Sequence, residues 1–350
     1  METRKTLSLG SSLAVPCVQE VAKESLNSIP PRYVRLDQDS PIISDNTCLP
    51  QVPVIDMIRL QLSDDGDDNF MDSELDKLHH ACKEWGFFQL INHQVSNSLV
   101  EKVKEKLEGF GNAFVVSEDQ KLDWGDMFYL TTLPIHLRKQ DLFPKLPPSF
   151  RETLEAYSAE LKNLTMKILN LMAKALRMEP DDMIVLFEGG WQSMRMNYYP
   201  SCPQPDLAIG LSPHSDAVGL TILLQINEVE GLQIRKNGIW FPVKPLPDAF
   251  VINIGDILEQ IVTNGAYRSI EHRATVNSAK ERLSMATLYC PKMDGDMGPA
   301  PSLVTPETPA KFRRIGVEDY FKKLFSRKLD GKSYLDVMRI NQNQEGNSST

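Results

Sequence analysis

Apolar residues recur at helical spacing between positions 150 and 178, where Leu154, Tyr157, Leu161, Leu164, Ile168, Leu171 and Ala175 fall on one face. That pattern predicts one long scaffold helix of about eight turns. A shorter stripe of Leu75, Leu78, Cys82 and Trp85 predicts a helix over 72–85 with Asp72 as N-cap. Ser96 opens another, with Leu99, Val103 and Leu107 on its apolar side. Asp181 or Asp182 caps a helix that stops at Gly189-Gly190, and 317–324 reads as the last one. In the first half, 52–56 and 86–92 read as strands. After Trp191 the period shortens, and strand-like runs recur at 193–199, 219–226, 232–235, 239–243, 250–254, 268–276 and 282–289. Lys236-Asn237-Gly238 is a hairpin turn signal. Helices first and short antiparallel strands afterwards predict an α+β protein whose second half is a sandwich or jelly roll with helices outside it.

Residues 1–50 are polar and broken by Pro30-Pro31 and Pro41, which predicts an arm lying over the domain, without function of its own. The acidic run Asp64, Asp65, Asp67, Asp68 lacks the alternating ligands, central Gly and closing Glu of a calcium loop and reads as a solvated loop. Residues 341–350 read as a disordered tail.

A length of 350 residues allows a substantial core. A formal charge of −9 with no Lys/Arg block argues against nucleic acid or an anionic membrane and for a small-molecule partner. Cys17, Cys48, Cys82, Cys202 and Cys290 are scattered, odd in number and never in a C-x-x-C pair, so neither a disulfide framework nor a zinc knuckle is indicated. The first residues lack an apolar signal core and no window is apolar enough to span a bilayer, so a cytoplasmic monomer is the expectation.

The chemistry concentrates in GLSPHSDAVGLTILL at 210–224, where His214 and Asp216 precede an apolar run. On a strand, residues two apart point the same way, so an imidazole and a carboxylate converge. Alone, this spacing also fits a surface loop. His272 lies far enough along for antiparallel strands to return it to the pair, and two imidazoles with one carboxylate form the facial set associated with non-haem Fe(II) oxygenases. Structural zinc would take a fourth protein ligand, and no Cys is placed to give one. Arg282 and Ser284 share the same two-residue spacing and direct a guanidinium and a hydroxyl together, a pair suited to a carboxylate.

With these features stand ACKEWGFFQLINH (81–93), MNYYPSCPQP (196–205), EGLQI (230–234), VINIGD (251–256), TNGAYRSIEHR (263–273) and RLSMAT (282–287). Over about Val52 to Ile340 the chain resembles the plant Fe(II)- and 2-oxoglutarate-dependent dioxygenases, and within them the senescence-related group that includes poppy alkaloid O-demethylases. The resemblance implies a double-stranded β-helix (jelly-roll) core flanked by helices. It implies iron at His214, Asp216 and His272, and the 2-oxoglutarate distal carboxylate at Arg282 and Ser284, with Tyr199 and Asn197 completing that pocket. It further implies ascorbate as reductant, release of succinate and CO2, and hydroxylation, O-demethylation or desaturation of a small aromatic plant metabolite. The implied layout is an arm (1–50), a mainly helical region (51–190), the dioxygenase jelly roll (191–300), a C-terminal segment with a helix (301–340) and the tail. Four departures stand out. About two dozen residues usual in the family are absent between Leu107 and Glu108, Leu288 replaces a usual Phe, Gln94 replaces a usual Gly, and Gln260 is one residue extra. A catalytically impaired variant, or a binding protein that keeps the metal site without turnover, is the alternative these departures leave open.

Overall fold

The structure is a computed structural model that describes residues 15–24, 27–42, 44, 49–61, 68–105, 119–139, 142–325 and 338–340. The strands of its two larger sheets, in chain order, are β1 (Val54–Asp56), β2 (Phe87–Ile91), β3 (Asp126–Leu133), β4 (Trp191–Tyr199), β5 (Leu211–His214), β6 (Leu220–Gln225), β7 (Leu232–Lys236), β8 (Ile239–Pro242), β9 (Phe250–Ile254), β10 (His272–Ala274) and β11 (Arg282–Cys290). A seven-stranded sheet runs β1-β2-β9-β6-β11-β4-β3 and a four-stranded sheet runs β5-β10-β7-β8. Together they form the jelly-roll core. Three strands of the large sheet come from before residue 190, so the first half of the chain is built into the same sheet as the second. β3 is an element the hydrophobic pattern did not predict.

The large sheet is covered on one side by helices. These are α2 (Asp68–His80), α3 (Asn97–Lys104), α4 (Pro148–Ala175), α5 (Pro180–Phe187) and α6 (Val317–Phe325), while the first helix, α1 (Val18–Lys23), packs apart from them in a cluster with Trp124 and Tyr199. α4 is the scaffold: Leu154, Tyr157, Leu161, Leu164 and Ile168 are buried, in one cluster with Met194, Met196, Ile222, Leu224, Ile252, Ile254 and Met285. Those sheet residues alternate with Arg195, Asn197, Leu223, Asn253 and Ser284, which therefore face the other way, toward the small sheet. The apolar half of each strand seats it on α4 and leaves the opposite half for chemistry.

Several boundaries differ from the expectation. α2 begins at Asp68, a turn before Asp72, and passes at Ala81–Trp85 into a π-helix that Gly86 closes in the left-handed region (φ 61). The predicted strand 268–276 shrinks to His272–Ala274, because the Arg268 and Ser269 amides donate instead to Cys82 O and Glu259 Oε2. The hairpin between β7 and β8 turns through Asn237 and Gly238, both at positive φ, as a two-residue I′-type loop requires. Gln94 has φ 64, where glycine is unstrained and other residues are not. Its amide is tied down by donating to Gln61 Oε1 (2.7 Å) and accepting from Lys167 (3.1 Å). Gln260 lies in a second π-helix, Ile257–Val262, whose wider turn holds one residue more than an α-turn. The shortened stretch at Leu107, the acidic residues Asp64, Asp65 and Asp67, Cys48 and the tail lie outside the described residues. No helix among the described residues is long and apolar enough to cross a membrane.

Candidate active site

His214 ends β5 and His272 begins β10, and the antiparallel register sets the two opposite each other. Their rings lie 4.3 Å apart between centroids, tilted by 50°. Asp216 follows β5 and closes the group. Its Oδ1 is 3.6 Å from His214 Nε2 and 3.8 Å from His272 Nε2, and the three donor atoms all lie within 4.8 Å of one another.

Each donor is oriented by a partner on its far side. His214 Nδ1 bonds the Ser212 carbonyl at 2.8 Å, and His272 Nδ1 bonds the Ile270 carbonyl at 3.2 Å. A carbonyl only accepts, so Nδ1 carries the proton in both rings and each Nε2 presents a lone pair inward. Asp216 Oδ2 accepts from Thr221 Oγ1 (2.6 Å) and Asn253 Nδ2 (2.8 Å), which leaves Oδ1 to face the imidazoles. Burial pushes the Asp216 carboxyl pKa up, but His272 and His214 outweigh it and hold the group well below the usual carboxylate range. Burial, with His214 beside it and Asp216 opposing, brings His272 down to about 4. Two imidazole Nε2 atoms and an ionised carboxylate aimed at one point fit a single divalent cation.

The large sheet supplies the other end. On the β4–β11 ladder Tyr199 is opposite Arg282 and Asn197 is opposite Ser284, so all four side chains share the inner face. The same face continues through Gln225 opposite Ser284 and Thr221 opposite Leu288, then to Asn253 opposite Thr221 on β9. The groups that hold Asp216 and the groups around Arg282 thus line one continuous surface. Arg282 is buried at 3% exposure. Its Nη1 donates to Ser284 Oγ (3.4 Å) and its Nη2 to Gln225 Oε1 (3.3 Å), while its Cζ lies 5.4 Å from the Tyr199 ring centroid. Nε has no hydrogen-bond partner among the described residues, nor does Arg282 form an ion pair among them. Burial lowers its pKa, with Tyr199 opposing. A buried guanidinium with no acidic side chain paired to it suits a ligand carboxylate.

Other aromatic and histidine side chains separate by face. Phe128 and Phe143 belong to the core against α4, whereas Tyr129, one residue from Phe128, is turned inward and donates to Ser193 Oγ at 2.7 Å. Tyr198 points away from Tyr199 and donates to Glu281 at 2.6 Å. His93 stacks on Phe250 and His136 sits in a surface turn, both away from the His–Asp group. Four participants escaped the sequence reading. Thr221 and Asn253 hold Asp216, Asp123 holds Ser212 behind His214 (its Oδ2 accepts the Ser212 N–H at 3.1 Å), and Arg195 donates to Asn197 Oδ1 at 2.7 Å. Asn253 had a signal, as one polar residue inside the apolar run Val251–Ile254. Two surface clefts, of about 460 Å³ beside Pro134 and His136 and about 750 Å³ beside Ser73, include neither the His–Asp group nor Arg282 and its neighbours.

Residues 190–291 match the model of the 2OG-Fe(II) oxygenase superfamily, and residues 52–110 match that of the non-haem dioxygenase in morphine synthesis N-terminal region. Oxoglutarate-dependent flavonoid 7-O-demethylase 1 of Ocimum basilicum is 55% identical over 356 residues, covering 95% of this chain and 93% of the relative. Codeine O-demethylase of Papaver somniferum is 50% identical, covering 97% of this chain and 100% of its own. A crystal structure of JOX2 in complex with 2OG, Fe and JA superposes with a TM-score of 0.81 at 34% identity, covering 94% of this chain and 99% of that one. The chain belongs to the 2OG-Fe(II) oxygenase superfamily. It is a 2-oxoglutarate-dependent dioxygenase whose cofactor is Fe(II) and whose co-substrate is 2-oxoglutarate, with dioxygen and a small molecule as partners. The oxygenase family match supports turnover rather than binding without it.

Proposed function

We propose that this oxygenase binds Fe(II) through His214, Asp216 and His272. In the same reading it grips the distal carboxylate of 2-oxoglutarate with Arg282 and Ser284, beside Tyr199 and Asn197, and oxidises a small aromatic plant specialised metabolite. The convergence of two Nε2 atoms and one carboxylate oxygen, each with its far side already bonded, carries the reading. Bound iron supplies the oxidising chemistry that couples decarboxylation of 2-oxoglutarate to hydroxylation, O-demethylation or desaturation. The chain's share is to orient and enclose. Thr221 and Asn253 fix the carboxylate rotamer, the Ser212 and Ile270 carbonyls fix both imidazole tautomers, and Arg282 sets the register of the co-substrate along the inner face. Tyr129, Arg195 and Leu288 lie on that same face, where we expect the aromatic substrate to sit.

O-demethylation is favoured by the likeness to the flavonoid 7-O-demethylase and the codeine O-demethylase. We place the enzyme in the cytoplasm as a monomer, with ascorbate as reductant. The test is a panel of methoxylated flavonoids, alkaloids and coumarins incubated with Fe(II), 2-oxoglutarate and ascorbate, with succinate measured and masses searched for gain of oxygen or loss of CH2. His214→Ala should remove any product; a variant that keeps the wild-type yield would end the ligand assignment.

A further inference from the structure

The strand that carries His214 is held by few ladder bonds. β5 is the edge of the small sheet, and its ladder to β10 is confined to His214 opposite His272 and Leu211 opposite Ala274, with an irregularity between them. Edge strands with so short a ladder need other partners to keep a side chain in place. Here the outer edge is bonded by the segment before β3. The Trp124 amide donates to Ile209 O (2.7 Å) and the Ser212 amide to Asp123 Oδ2 (3.1 Å). The Ser212 hydroxyl donates to Asp123 Oδ1 at 2.5 Å.

Arg35 of the N-terminal arm closes this arrangement. Its Nη1 donates to Ser212 Oγ at 2.7 Å and to Asp123 Oδ1 at 3.4 Å. Its Nε and Nη2 fork onto Asp37 at 3.0 and 3.1 Å, and its amide donates to Leu207 O at 2.8 Å. The Ser212 carbonyl, on the same residue, is the acceptor for His214 Nδ1. A continuous path therefore runs from Arg35 through Ser212 to the imidazole. Four residues on, the arm meets the sheet again. Arg273, fully buried beside His272, donates to Asp39 O (2.9 Å) and Ser40 O (3.2 Å), and its guanidinium stacks 4.2 Å over Trp240, whose Nε1 donates to Asp39 Oδ2. The arm thus bonds the β5 edge at Arg35 and, after a turn at Leu36–Asp37, the β10 and β8 side of the small sheet at Asp39 and Ser40.

We propose that the N-terminal arm is a strap for the metal site and that Arg35 is a positioning residue for His214, holding Ser212 so that its carbonyl orients the ring. This rests on the ligand assignment above. Loss of such an outer partner typically weakens metal binding by about 10- to 100-fold.

The test uses the full chain, anaerobic, with Fe(II) titrated against a chromophoric chelator. Arg35→Met is expected to weaken Fe(II) binding about tenfold or more, with the KM for 2-oxoglutarate within about twofold of wild type, because Arg282 lies on another sheet. Arg35→Lys should recover part of the loss and Asp123→Asn should reproduce it. Circular dichroism and the thermal midpoint of the metal-free variants separate positioning from folding. Wild-type Fe(II) affinity in folded Arg35→Met overturns the proposal, as does a loss that merely tracks the unfolded fraction. If wild type binds no Fe(II), or His214→Ala binds it as tightly as wild type, the ligand assignment has failed instead.

Discussion

The two sheets solve different problems. The large sheet is regular: β11 pairs with β4 without a break from Arg282 to Cys290, and with β6 from Ser284 to Tyr289. The small sheet is short and interrupted where it matters, at β5 and β10. Regular pleating repeats one face along many residues, which lays out Tyr199, Asn197, Arg282, Ser284, Leu288, Thr221 and Asn253 as a lining. The imidazoles need individual aim instead, and each takes it from the carbonyl two residues earlier in the chain. The two histidines differ in shelter: the His272 side chain is 10% exposed between β5 and β7, while that of His214 is 30% exposed on the edge. Precision in the large sheet comes from the ladder, and in the small sheet from bonds made outside it.

The largest break comes at the small sheet's centre. His272→Ala removes a donor and opens a void against Phe87, whose ring centroid is 5.2 Å away. The expected outcome is no measurable Fe(II) binding and no succinate above background, checked by anaerobic titration and end-point assay. The metal-free wild type should show the same residue in its pH response. His272 protonates near 4 when folded and near 6.5 when unfolded. Between those values the unfolded chain holds more protons, so stability is full above about 6.5 and is lost as pH falls toward 4. His93, lowered by burial, acts in the same direction. A thermal midpoint that rises on acidification through this window would contradict the assignment of a buried neutral His272.

The corresponding break in the large sheet is Arg282→Met. Truncating one partner of a buried charge pair costs about 2–5 kcal/mol, so the KM for 2-oxoglutarate should rise at least about thirtyfold. Fe(II) affinity should stay put, since Arg282 touches none of the three donors. A loss of both together would mean the two sheets are not separable in function. Between these lies Thr221→Val, which keeps the shape and removes the hydroxyl on Asp216. Fe(II) binding should weaken about tenfold, with Asn253 still holding the carboxylate; an unchanged titration would show that one partner suffices.

The comparison also explains what was legible in the sequence. His214, Asp216, His272, Arg282 and Ser284 could be read because each pair is fixed by a two-residue spacing on one strand, or carries a charge that an apolar segment does not need. The helical stripe of α4 was equally plain, since a period of 3.6 sustained over many turns has few competitors. Thr221 and Arg195 acquire their roles only through cross-strand neighbours, which no local pattern encodes, and Asn253 showed no more than a polar residue inside an apolar run. β3 was missed because DMFYLTTL mixes core and cavity residues without clean alternation: Phe128 packs outward while Tyr129 faces in. Arg35 and Asp123 were invisible for a stronger reason, being joined to Ser212 across separations of 177 and 89 residues. The arm, expected to lie idle over the domain, bonds the sheet behind both histidines.

The smallest expected effect sharpens the large sheet's role as lining. Leu288 is half-buried on the inner face, opposite Thr221 on one side and Ser193 on the other, so it stands one strand from the residue that holds Asp216. A leucine there offers apolar surface without the ring stacking that a phenylalanine gives, worth about 0.5–1.5 kcal/mol for an aromatic pair. Leu288→Phe should therefore change the KM for an aromatic substrate roughly two- to tenfold, downward where the ring stacks. It should leave the KM for 2-oxoglutarate and the Fe(II) titration unchanged, because Arg282 lies six residues away along β11, beyond reach of the new ring. Steady-state kinetics with whichever metabolite the screen identifies separate the two constants. A shift in the 2-oxoglutarate constant alone would move Leu288 from the substrate's part of the lining to the co-substrate's, and would place the mouth of the cavity closer to Ser284 than the register implies.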